Sequence, residues 1–145
     1  MGLFNNLAYT AGRIAGEAKR KRESEQRVSQ QDPQTREYVK NLQTSEQNGN
    51  LESMYNLGCY HSTGTYVVLD FDKACYWWTQ AAERGDISAQ YNLGILYDGN
   101  LSPYIRDDNL AGYWFNCAAN NGLYEAREAL RGYQYSRFYD RWIKR

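Results

Sequence analysis

The feature that most constrains this chain is a repeat within its own sequence. Tyr55-Asn56-Leu57-Gly58 returns 36 positions later as Tyr91-Asn92-Leu93-Gly94. Asp70, Ala74, Trp77, Ala81, Ala82 and Gly85 return as Asp107, Ala111, Trp114, Ala118, Ala119 and Gly122, now 37 positions later. The added residue must lie between Gly94 and Asp107, a stretch holding Gly99, Asn100, Ser102 and Pro103, where a loop absorbs it at small entropic cost. Gly122, Ala126 and Leu130 begin a partial third copy. Small and apolar residues fall at helical spacing within each unit: Ala89, Leu93 and Tyr97, then Leu110, Ala111, Trp114 and Ala118. Each unit is therefore a pair of helices. Asp70 and Asp107 stand where an N-cap starts the second helix, and Gly85 and Gly122 where a left-handed residue stops it. The spacing predicts helices over 51–62, 71–84, 87–98, 107–120 and 124–139. One such hairpin cannot bury its apolar stripe alone, so the units must stack.

Leu57-Gly58, Gly64, Val67, Asp70, Lys73-Ala74, Trp77, Ala81-Ala82 and Gly85 resemble the Sel-one-like repeat, a tetratricopeptide-like helical hairpin. The likeness covers roughly residues 49 to 135. His61 stands where that family usually has Tyr, Tyr66 where it has Gly, Gln80 and Cys117 where it has Lys, and Arg131 where a third copy would have its helix-packing Gly. The resemblance implies an all-α fold, a short right-handed α-solenoid of stacked antiparallel helix pairs. It further implies that first helices line a concave face, in a family that mostly serves as adaptors and scaffolds.

The tails must supply the outer neighbours. Residues 34–48, with Tyr38, Val39 and Leu42, read as a degenerate helix before repeats at 49–84 and 85–121, and 122–145 as a partial repeat and cap. The cap is rich in aromatics: Tyr133, Tyr135, Phe138, Tyr139 and Trp142. Residues 1–33 form an arm with a weak, mostly alanine stripe (Leu3, Phe4, Leu7, Ala8, Ala11, Ile14, Ala15, Ala18) followed by Lys19-Arg20-Lys21-Arg22. The arm is expected to be loose or docked on the repeats. A weak stripe argues against a membrane-surface helix.

Seventeen basic and seventeen acidic residues balance, which gives no support for a nucleic-acid binder. The charge is unevenly spread: residues 46–128 carry four basic and eleven acidic groups, whereas 129–145 carry five and one. Cys59, Cys75 and Cys117 lack the paired spacing of a zinc or redox site and are expected to be reduced and mostly buried. The N-terminal segment lacks a signal-peptide pattern, Asn6 fails the myristoylation motif at Gly2, and no run approaches the roughly 20 apolar residues of a membrane span. The expected compartment is cytoplasmic.

The residues show no nucleophile–base pair, metal cluster or phosphate-cradling loop, so no catalytic residue, metal or cofactor is expected. His61, the single histidine, sits at an interior helical position and is expected to pack. Trp77, Trp78 and Trp114 form an aromatic stripe whose helical spacing assigns them to the inter-helix core, with Phe115 the counterpart of Trp78 and Trp77 and Trp114 expected to fill the gap between hairpins. What remains is a surface. Residues beside the Leu-Gly positions should face the groove: Glu52, Tyr55, Asn56 and Cys59, then Ser88, Tyr91, Asn92 and Ile95, then Glu125 and Glu128. Tyr offers large contact area at low entropy cost, and Asn both donates and accepts. The expected function is a protein–protein interaction module, an adaptor or scaffold whose partner presents a basic surface. The alternative is a dedicated inhibitor, such as an immunity or antitoxin protein that masks a toxic enzyme.

Overall fold

The computed structural model describes residues 33–137 and 139–145. The arm expected before them lies outside the described residues. The chain divides into two compact units, Met1–Val39 and Lys40–Arg145. Helix α1 (Pro33–Asn48) contributes its first residues to the former and its last turns to the latter. Five helices follow: α2 (Leu51–Thr63), α3 (Phe71–Ala82), α4 (Ile87–Tyr97), α5 (Asp108–Asn120) and α6 (Tyr124–Leu130), with a 3-10 turn at Pro103–Ile105. Strands β1 (Tyr133–Ser136) and β2 (Arg141–Lys144) close the chain as an antiparallel hairpin. From α2 to α6 each helix packs on the next, and the hairpin packs on α5. The second unit is thus a short α-solenoid of antiparallel helix pairs with a hairpin at its end.

Side chains cap the starts of α2 to α5. Asn50 accepts from Ser53 N at 2.8 Å, Asp70 from Lys73 N at 3.0 Å, Asp86 from Ala89 N at 2.7 Å, and Asp107 from Asn109 N at 2.9 Å and Leu110 N at 3.0 Å. Each satisfies an amide that the helix leaves without a partner. Between hairpins the chain turns through Gly85 (φ 96°) and Gly122 (φ 97°), a left-handed conformation that costs glycine little. There Asp86 N donates to Ala81 O and Leu123 N to Ala118 O, both at 3.0 Å. Within hairpins, Asp70 N donates to His61 O at 2.9 Å and Asp107 N to Tyr97 O at 2.8 Å. The two acceptors are 36 positions apart and the two donors 37, so the same bond closes both hairpins and the extra residue sits in the α4–α5 loop.

The core shows why Leu-Gly repeats. Leu57 and Leu93 are fully buried, and the following glycines admit a flat ring from the second helix of the same pair. A Cβ on Gly58 would lie 2.3 Å from Trp78 Cδ1, and one on Gly94 2.5 Å from Phe115 Cδ1. This corrects part of one expectation. Trp78 (2% exposed) and Phe115 (3%) are the core aromatics, whereas Trp77 and Trp114, one residue and about 100° away, are half-buried at the core's margin.

The helix expected over 124–139 is a second correction, since α6 stops at Leu130. Beyond Gly132 the chain runs as a strand, with Tyr133 buried, Gln134 and Tyr135 exposed, and Tyr135 paired with Trp142 across the hairpin. Trp142 drops onto α5 at Gly112, where a Cβ would lie 2.5 Å from its own Cβ, and Asn109 Oδ1 accepts from Trp142 N at 2.8 Å. The hairpin takes the place a further helix would fill. The cysteines are free, as expected, but half-buried rather than mostly buried, a third correction.

Candidate partner-binding surface

The first helices α2 and α4 meet side by side. Tyr55 lies within electrostatic reach of Cys59 one turn on and of Asn92 of α4, while Trp78 Nε1 donates to Tyr55 O at 3.3 Å. Tyr55, Cys59 and Asn92 thus form one half-buried strip crossing two repeats. Burial raises the Tyr55 phenol above its ordinary value, helped by the Cys59 contact and opposed by Asn92. Burial also raises the Cys59 thiol, against the bonds from Tyr55 and Trp78, so it stays protonated and a poor nucleophile at neutral pH.

Asn56 extends the strip toward α1. Its Nδ2 donates to Asn41 Oδ1 at 3.5 Å, and Asn41 Nδ2 donates to Tyr60 Oη at 3.4 Å. Tyr91 and Ile95 belong to a second cluster, with the Tyr91 ring 5.8 Å from that of Phe115. Glu52, Ser88 and Glu125 are exposed. Glu128 is half-exposed and pairs with Arg131 at 3.1 Å, which offsets part of its charge. The ten residues therefore divide into the α2–α4 strip, a Tyr91–Ile95 patch and separate carboxylates. His61 is buried, and burial holds its imidazole below the ordinary value.

Beside Tyr91 and Ile95 lies a cleft of about 340 Å³, closed by Phe115, Tyr133, Asp98 and Lys144. Tyr133 Oη donates to Asp98, Lys144 Nζ lies 2.5 Å from Asp98 Oδ1, and Asn100 Nδ2 lies 2.6 Å from Asp98 Oδ2. Asp98 thus fastens the hairpin to the end of α4. Sequence spacing could not pair Asp98 with Tyr133 and Lys144, which lie 35 and 46 positions away. The one local signal was Gly112 in the place Cys75 holds in the first repeat, marking a close approach on α5.

Burial works against the Asp98 charge, but the bonds from Lys144 and Tyr133 outweigh it and hold the carboxyl below its ordinary value. A depressed carboxyl stabilises the fold above its unfolded pKa, about 4, and loses that contribution as pH falls through the folded value. Asp98→Asn should accordingly lower the melting temperature at pH 7, and the gap from the parent should close as the pH falls below about 4. A gap independent of pH in thermal melts would rule out the charged clasp.

The paired helices, their glycine–ring contacts and their shared turns correspond to a known repeat. Residues 51–86 and 87–123 each match the Sel1 repeat. The chain belongs to the Sel1 repeat family. Its two repeats are similar to the chitin synthase regulator SKT5 of Malassezia restricta, 33% identical over 100 residues, which is 66% of this chain and 7% of that protein. They are similar also to YibG of Escherichia coli K12, 32% identical over 101 residues, 66% of this chain and 61% of that one. The chain thus spans less than two thirds of the length of either relative.

Among solved structures, c5321, a protective antigen of uropathogenic Escherichia coli with an SLR fold, superposes with a TM-score of 0.56 at 31% identity, over 61% of this chain and 19% of that one. A Sel1 repeat protein from Oxalobacter formigenes superposes with a TM-score of 0.54 at 26% identity, over 63% and 68% of the two chains. Sel1 repeats are generally protein–protein interaction modules. Among the described residues, no helix is long and apolar enough to cross a membrane.

Proposed function

We propose that this Sel1 repeat chain is a non-catalytic adaptor that holds a partner protein along its first helices. The observation that carries the proposal is the strip of Tyr55, Cys59 and Asn92, where two successive first helices bring aromatic, thiol and amide groups together on one half-exposed surface. Such a surface combines rigid contact area with adaptable donors and acceptors. A protonated Cys59 and a buried His61 with a depressed imidazole suit packing rather than catalysis. The three free thiols suit a reducing compartment, which makes the cytoplasm the proposed location. The SKT5 relative, named as a regulator of an enzyme, is in keeping with a binding role.

The proposed partner presents a basic surface, because residues 46–128 carry eleven acidic and four basic groups. Charge of one sign steers an opposite partner and rejects nucleic acid. A tagged full chain should capture a discrete partner from native lysate, and Tyr55→Ala or Asn92→Ala should reduce that capture by roughly tenfold or more. Association should slow as salt rises from about 0.05 M to 0.5 M, and Glu52, Glu125 and Glu128 replaced together by Gln should slow it at low salt. Capture unchanged by the Tyr55 and Asn92 variants would refute the strip, and a salt-independent rate would refute the steering. One dedicated enzyme among the captured proteins would favour an inhibitor over an adaptor.

A further inference from the structure

A second surface lies where α6 meets the hairpin. Arg127 stands on the last turn of α6 and Arg131 at its end, one helical turn on. Arg145 is brought beside them because its amide donates to Gly132 O at 2.8 Å, tying the end of β2 to the turn that follows α6. The three arginines, all exposed, border a cleft of about 490 Å³ whose apolar lining is Leu130 with the Tyr135 and Trp142 rings. Among the described residues, no carboxylate lines this cleft. The acids around it are engaged: Glu128 with Arg131 at 3.1 Å, Asp140 with Tyr135 Oη, and Asp98 with Lys144 and Tyr133. Arg127 uses one N–H on Ala119 O at 3.4 Å and keeps its charge. Glu128 thus offsets one guanidinium of the three, and the cleft stays positive.

We propose that this cleft binds an extended, glutamate-rich segment of a partner protein with carboxylates at alternate positions. Guanidinium groups take carboxylates through paired N–H···O bonds, and the Leu130 and Trp142 surfaces suit the methylene stems of glutamate. Residues one turn apart on a helix have Cβ atoms roughly 5 to 6 Å apart, and side chains on one face of an extended segment recur about every 6.6 Å, so Arg127 and Arg131 can each take one carboxylate. A nucleic acid offers the same sign of charge but carries it at every nucleotide. It would run from the cleft onto residues 46–128, whose eleven acidic and four basic groups repel it, whereas a short peptide confines its charge to the cleft. None of Tyr55, Cys59 and Asn92 lines the cleft, so the inference does not rest on the α2–α4 strip. A chain using both surfaces would hold a basic and an acidic element at once.

The test titrates the full chain with a fluorescent synthetic peptide of alternating glutamate and serine, with a control in which glutamine replaces every glutamate. The parent should bind the first saturably and the control roughly tenfold more weakly, the gap narrowing as salt rises from about 0.05 M to 0.5 M. Arg127→Gln, Arg131→Gln and Arg145→Gln should each weaken binding by about fivefold, and the three together should abolish it. Glu128→Gln, which releases Arg131, should tighten it severalfold, the reverse of its expected effect on a basic partner. Arg106→Gln, on an exposed arginine of the α4–α5 loop paired with Asp108, should leave binding unchanged. Circular dichroism establishes that each variant is folded. Equal affinity for both peptides, binding that survives the triple arginine variant, or weakening by Glu128→Gln overturns the proposal. So does a loss through Arg106→Gln as large as through Arg131→Gln, which would mean diffuse attraction. Tighter binding of a mixed-sequence single-stranded oligonucleotide than of the peptide also overturns it, as does self-association in sedimentation that the arginine variants abolish, which would give the cleft to a second copy.

Discussion

Trp78→Ala and Phe115→Ala should each destabilise the fold by about 3 to 5 kcal/mol, and Trp77→Ala and Trp114→Ala by distinctly less. The two core rings are almost wholly buried, and each fills the space left by a glycine on the facing helix. Removing one leaves a cavity bounded by backbone, and helix backbone cannot close in without breaking its own hydrogen bonds. Trp77 and Trp114 lie at the core's margin, where solvent takes up part of the lost volume. Urea denaturation followed by circular dichroism would rank the four. Where Trp78→Ala fails to fold, Trp78→Phe keeps the ring in smaller form and should lie between it and the parent. A Trp77 variant as damaging as the Trp78 variant would contradict this placement of the core.

Gly58→Ala should destabilise the fold even though alanine is the better helix former. At an exposed helical site the exchange gains about 1 kcal/mol. Here the new Cβ would lie 2.3, 2.4 and 2.8 Å from three atoms of the Trp78 ring, which must move as a rigid plane within a filled core. Overpacking of that kind costs about 1 to 3 kcal/mol, enough to reverse the gain. The sign should reverse again when the ring is gone: in a Trp78→Ala background, Gly58→Ala should stabilise, because the methyl fills part of the cavity and the propensity gain is no longer opposed. A double-mutant cycle measures this coupling directly. Additive effects would show that the glycine and the ring do not meet.

Most of the solenoid was legible because its determinants are local. The Asp70 and Asp107 carboxylates cap amides three residues on, and Gly85 and Gly122 donate to carbonyls three residues back, so their positions alone announced the helix ends. The family resemblance was legible from the same residues. Placing Trp77 and Trp114 in the core beside Trp78 went wrong because adjacent aromatics both satisfy a helical stripe; Gly58 and Gly94, facing the true core rings, held the deciding information. The tail went wrong because Tyr133, Tyr135 and Trp142 fit more than one period, and Gly132 with the Gly112 contact favours the strand. Repeat phase proposed the first-helix surface, and the approach of Tyr55 to Asn92 across two repeats could not be read from spacing. Asp98 stayed hidden because its partners are brought to it only by the tertiary fold.

The seam between repeats also bears on how order spreads along the chain. Asp86 has two duties: its amide closes the end of α3 on Ala81, and its carboxylate opens α4 on Ala89. One residue cannot hold the second position unless the first is formed, so melting of α3 deprives α4 of its start. Neighbouring units are thereby made to open together rather than one at a time. At the next seam Leu123 keeps the amide bond to Ala118 but brings no side-chain cap to α6. Cooperativity is therefore tight between the two full repeats and slackens beyond Gly122, and the seven-residue α6 depends on the hairpin clasp at Asp98 for the order its own first turn lacks.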